Sequence, residues 1–246
     1  TFTDDDKTAT AAAVGFGHNT VNEQALAYVN NAILSAAGDI SLAATFAPVI
    51  EAFSIGGAYA SGKENSIALA GAGATNTVDV EVATFIANSG GLRSVRSTGG
   101  GITLYATDAA GVFAQSGAVS IAWGNSSQGE GSKSVSLGVS ITGNEIGTDA
   151  DEDHSVKAYI SNSIVSAADD IAINATSTAR MHALAIGGAF SKASGSVATK
   201  NGQLAGAAAG AYAFNKLDQD VLAYVDKSHL TTTGGGDVTI NAATTS

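Results

Sequence analysis

The sequence predicts an all-β protein: a parallel β-helix or β-solenoid of degenerate repeats, each about 65 residues, around a narrow Ala/Gly/Val/Ile core. Three observations carry this reading. Four motifs recur in the same order along the chain. Residues inside each motif alternate with a period of two. Pro occurs only once in 246 residues, while Gly occurs 30 times.

The first motif reads ALAYVNNA from Ala25, VATFIANS from Val82, VKAYISNS from Val156 and VLAYVDKS from Val221, with starts 57, 74 and 65 residues apart. The second is GDISLAA from Gly38, GGITLYA from Gly100, DDIAINA from Asp169 and GDVTINA from Gly236. The third is FSIGGAYA from Phe53, AQSGAVS from Ala114 and LAIGGAF from Leu184. The fourth ends at Asn76, Asn144 and Asn215, and TATAAAVGFGHN, ending at Asn19, is the same motif from a partial first repeat. The repeats therefore divide a single continuous segment, 1–246, into a partial repeat 1–24, repeats 25–81, 82–155 and 156–220, and a partial repeat 221–246. The pattern is already under way at Thr1, which predicts a piece of a longer chain.

In VKAYI, Val156, Ala158 and Ile160 alternate with Lys157 and Tyr159; in DIAINA, Ile171 and Ile173 alternate with Ala172 and Asn174. Such runs, bounded by Gly, Asn and Asp that tolerate positive φ, read as strands of five to eight residues. Residues 43–53 are the best case for helix, but Pro48 interrupts them, so at most one short helical turn is expected there. At roughly 22 residues per turn, each repeat would supply about three turns, giving about eleven turns and a rod on the order of 50 Å. Inward positions such as Ala27, Ala68, Ala70, Ala158, Ala205, Ala207 and Ala223 are methyl-sized, and Gly56, Gly57, Gly187 and Gly188 are smaller still. The facing sheets should therefore approach closer than the usual ~10 Å, with Ile, Val and Leu filling a wider part.

Repeats of the form V-x-A-Y-I-x-x-S, G-D-I-x-I-x-A and G-G-A-x-A resemble those of giant secreted bacterial β-solenoid proteins, the filamentous-haemagglutinin-like adhesins. The resemblance covers the whole chain and implies an extracellular or cell-surface rod acting in adhesion, matrix or filament formation. It carries over no family site residue.

Composition narrows the chemistry. Eleven Lys and Arg against 22 Asp and Glu give a net charge of −11, the wrong sign for a nucleic-acid partner. The absence of Cys excludes thiol catalysis and thiolate metal sites. The longest uncharged run, 109–129, carries Gln115, Asn125 and Gln128 and is not a membrane span. GAYASGK at 57–63 fits G-x-x-x-x-G-K, but Glu64 follows where Ser or Thr would hold magnesium, so it reads as a strand ending in a Gly turn. His18, His154, His182 and His229 lack ligand spacing, and His18 and His154 read as solvated turn residues. No G-x-S-x-G is present and no cluster of acids and bases assembles, so no catalytic residue is expected.

Two features remain. Asp149, Asp151 and Asp153 alternate in a loop, 148–154, that lengthens one repeat. Carboxylates at that spacing can converge on Ca2+, although Gly at the sixth and Glu at the twelfth loop position are missing. The bland alternative is a solvated acidic loop. The second feature is an aromatic at one outward position in all four copies: Tyr28, Phe85, Tyr159 and Tyr224. These could pack on a neighbouring chain, stack on sugars or lie under a loop of the same chain. With three turns per repeat they would not touch one another. The expected function is structural: a rod-like segment of an extracellular bacterial fibre, adhesin or matrix protein. Its partners would be flanking repeats or other copies, joined head-to-tail or laterally. A carbohydrate-binding module is the alternative, and a carbohydrate-active enzyme on a β-helix a more remote one.

Overall fold

The computed structural model describes residues 8–126, 131–147, 154–195 and 202–245. The chain first forms β1 (Thr8–Asn30), β2 (Leu34–Ala36), β3 (Ile40–Phe46) and β4 (Val49–Gly62). It then forms β5 (Asn65–Ala87), β6 (Val95–Ser97), β7 (Ile102–Asp108) and β8 (Gly111–Ser126). The third set is β9 (Lys133–Ile146), β10 (Ser155–Ser161), β11 (Ile164–Ala167), β12 (Ile171–Ser177) and β13 (Arg180–Gly195). The last is β14 (Leu204–Leu217), β15 (Asp220–Asp226), β16 (His229–Thr232) and β17 (Val238–Thr244). Among the described residues there is no helix.

These strands form four parallel sheets. The long sheet runs from β1 through β5 to β9 and β10, and on to β14 and β15; the others are β2-β6-β11-β16, β3-β7-β12-β17 and β4-β8-β13. Each set thus passes once through the sheets in the same order, and the next lies against it. The residues of the sequence motifs meet in register. Ala25 pairs with Val82, Val82 with Val156 and Val156 with Val221. Ile40, Ile102, Ile171 and Val238 form another column. In the third motif one copy shifts by a residue: Gln115, not Ala114, lies beside Phe53 and Leu184.

The register corrects the turn count. Equivalent residues of successive repeats sit in neighbouring strands, so a repeat makes one pass, not three, and four stacked strands span only about 15 Å. The reason lies in strand length: β1 and β5 each run 23 residues. Gly71 and Gly73, of the residue type read as turns, lie inside β5. The expected helical turn at 43–53 is also absent: these residues belong to β3 and β4 on either side of Pro48, which occupies the break between them.

The long sheet has two halves. Its first half packs face to face on the β4-β8-β13 sheet, making a narrow two-layer arm. Ala58, Ala60, Ala68, Ala70 and Ala72 fill that interface. At Gly56 and Gly187 the layers come into backbone contact: a Cβ on either would run into the carbonyl oxygen of Gly71 or Gly210 respectively. Serines bridge what space remains between the layers, as Ser116 with Ser140 (2.5 Å) and Ser120 with Ser136 (2.6 Å). The second half of the long sheet closes a wider body with the two sheets of short strands. There Val78, Val82, Ile86, Ile102, Leu104, Ile160, Ile171 and Ile173 form one buried cluster. The expectation of a narrow Ala/Gly section beside a wider Ile/Val section therefore holds.

Gly147, at φ +75°, turns the chain out of the long sheet after β9, and its N–H still bonds the Val78 carbonyl oxygen (2.9 Å). Ile146 pairs with Val78 and Ser155 with Glu81. The longer third repeat is thus absorbed between two adjoining points of β5.

Candidate functional site

The aromatic positions form a single ladder on the outer face of the wide body. Tyr28, Phe85, Tyr159 and Tyr224 stack with ring centroids 4.9, 5.0 and 5.0 Å apart and interplanar angles of 4°, 7° and 1°. This corrects the expectation that they would not touch: one pass per repeat places them on neighbouring strands, whose spacing is ~4.8 Å. Three residues beyond each ring, Asn31, Asn88, Asn162 and Lys227 adopt positive φ of 45–53° and turn the chain into the next sheet. Asn accepts that conformation more easily than most residues, which accounts for its repetition in the motif. Ser89, Ser163 and Ser228 then bind rung to rung: each hydroxyl oxygen accepts from the backbone N–H of Ala32, Ser89 and Ser163 in turn.

Burial raises the Tyr159 hydroxyl above its usual range, with further contributions from Tyr224 and Glu81. Tyr224 is raised as well, first by burial and then by Asp226. Because the rings stack face on face, the column offers solvent mainly its edges and hydroxyls. Only the end rings, Tyr28 and Tyr224, keep an outer face unstacked within the column.

A second ladder lies inside, where arm and body meet. The Asn19 amide nitrogen donates to the Asn76 side-chain oxygen (2.8 Å), Asn76 to Asn144 (2.8 Å) and Asn144 to Asn215 (2.9 Å). The same nitrogens also donate across to backbone oxygens of Glu51, Phe113 and His182 at 2.7–2.8 Å. Asn19, Asn76 and Asn144 each thus tie their strand to the next rung and to the facing sheet. The signal was present in the sequence, since Asn ends the fourth motif in every copy, but a bonded column needed the register.

The histidines depart from expectation. His154 is fully buried, its Nε2 3.0 Å from the Asp108 carboxylate, which also accepts from the Ala110 N–H (3.0 Å). Ser177 lies beside them and donates to the Gln219 side-chain oxygen (3.1 Å). A solvated turn was the wrong reading because His154 directly precedes β10, where the chain re-enters the core beside Val80. His18 is solvent-exposed but sits within β1, bonded to Thr75 and Thr20. Residues 57–62 are the end of β4, and after Lys63 and Glu64 the chain enters β5, with no helix to cradle a phosphate. Asp149, Asp151 and Asp153, the residues read as a Ca2+ loop, lie outside the described residues.

No family model, curated protein or solved structure matches the chain.

Proposed function

We propose that the protein is a structural and interaction module: a β-solenoid segment of a rod in an extracellular or cell-surface bacterial fibre, adhesin or matrix. The observation that carries this is the repetition of one environment from rung to rung. Each repeat adds one rung to the long sheet, as a single strand (β1, β5) or as two in succession (β9 and β10, β14 and β15), with one ring for the Tyr/Phe ladder and one amide for the Asn ladder. Such a stack can lengthen without limit, since every new rung buries the face of the last. The resemblance of the repeats to filamentous-haemagglutinin-like adhesins supports the location.

Its first partners are further rungs, from flanking sequence or another copy. Among the described residues β1 and β14 lie at opposite edges of the long sheet, each with one side unpaired. Unpaired strand edges template further pairing. A rung added at β14 and β15 would continue both ladders, with the Asn215 amide as donor and Tyr224 as the ring to stack on. The reading assigns no catalytic residue and no cofactor.

Tandem duplication of the chain tests this reading. Small-angle scattering should show a particle longer by roughly 20 Å with the same cross-section. Two separate lobes, or a wider particle of unchanged length, would exclude the rod.

A further inference from the structure

The narrow arm places its large apolar side chains outside. On the outer face of the long sheet, β9 presents Val135, Leu137, Val139 and Ile141, which are 38–47% exposed. Phe16 and Phe214 lie over the gaps at Gly73 and Gly143. The register puts Lys133 at one end of this band and Glu145, with Lys216 3.0 Å away, at the other. No carboxylate, lysine or arginine lies among the outward residues between these ends. A parallel sheet is ordinarily covered on both faces. Here β4, β8 and β13 cover the inner face, and no described element covers the outer one.

We propose that this face packs against the same face of a second copy, about a two-fold axis along the stacking direction. The proposal goes beyond the rod reading, for it needs only the four strands already stacked. Four strands of about 14 residues offer a face of roughly 900 Å², and a stable complex buries about 800 Å² per partner. Another copy also repeats at the same ~4.8 Å spacing, so every rung can meet a rung.

Charge selects the orientation. A two-fold along the stack reverses strand direction and keeps each rung opposite its equal. Lys133 of each copy then faces Glu145 of the other, twice per pair. Strands running the same way would invert the order of the rungs, setting Lys133 against Asn65 and Glu145 against Thr77 and leaving both charges without a partner across the interface. Reversal also sets Gly206 and Ala208 of β14 against Phe214 and Tyr212 of the other copy, small against large.

Sedimentation equilibrium on the intact chain tests the proposal. The expected mass is twice that of the 24.2 kDa chain. Ile141→Lys should weaken pairing by about a hundredfold or more with unchanged circular dichroism, since Ile141 is half-exposed and its loss need not disturb the fold. Lys133→Glu and Glu145→Lys should each weaken it by about tenfold. An equimolar mixture of those two variants should recover the wild-type affinity, because both contacts in the mixed pair join opposite charges. A monomer at all concentrations up to about 1 mM overturns the interface. So does a dimer indifferent to Ile141→Lys, or a mixture that fails to recover. Rod length in the tandem duplicate reads the earlier proposal separately, so either idea can fail while the other stands.

Discussion

Ser140 and Ile141 are neighbours on β9, yet Ser140 is 0% exposed and Ile141 47%. In the wide body the order is the usual one: Ile171 and Ile173 are fully buried and Ala172, between them, is partly exposed. The same rungs therefore obey two rules. In the arm the layers are held by backbone proximity, alanine methyls and serine hydrogen bonds, and the space between them admits nothing larger. In the body three sheets leave a wider interior, and branched aliphatics fill it. Layer spacing, not the hydrophobicity of a residue type, decides what faces in. Apolar groups excluded from the arm's interior remain on its surface, where they become a contact surface.

Four experiments would break or sharpen this contrast, from the largest expected effect to the smallest. Ile171→Asp should abolish cooperative thermal unfolding, since an unpaired charge at a fully buried position costs several kcal/mol and its column runs through all four rungs. Next, removing bulk from the body should cost more than removing it from the arm's exterior. Ile173→Ala is expected to lower the unfolding free energy by ~2–5 kcal/mol in urea titrations, and Ile141→Ala by under ~1 kcal/mol. Equal losses would refute the two-rule picture.

Adding bulk should discriminate in the opposite sense. A single methyl at Gly187 meets the Gly210 backbone, whereas one at Gly117 meets open space. Gly187→Ala should cost ~1–3 kcal/mol and Gly117→Ala nothing measurable, again by urea titration. The smallest effect concerns the aromatic ladder on the body. Folded Tyr159 and Tyr224 hold their protons above the usual value of 10.0. The folded state thus binds more protons than the unfolded chain as pH rises past 10. This contribution is whole below about pH 10 and lost as pH climbs through the folded-state values. The urea midpoint should fall between about pH 9 and pH 11, and Tyr159→Phe should flatten that fall.

Much of the arrangement was legible in residue order. In-register parallel stacking gives each column one repeated environment, so the same residue types return at each pass. That is why aligning AYVNN with TFIAN, AYISN and AYVDK located true neighbours, and why period-two alternation identified Ala158, Ile160, Ile171 and Ile173 as inward. The outward direction of Tyr28, Phe85, Tyr159 and Tyr224 followed from the same alternation. What tertiary structure alone decided was how far a strand runs before it turns. Glycine serves equally at a corner, as Gly147 does, and at a close approach of layers, as Gly56 does, and local sequence does not distinguish them. On that choice rested the number of passes per repeat, and with it whether the rings and amides of successive copies touch. His154 teaches the same limit: a polar residue beside an acidic loop looks solvated until the fold brings Asp108, 46 positions away, to its ring. Periodicity reports which face a residue takes, because pleating is local; contact between distant residues depends on the path of the whole chain.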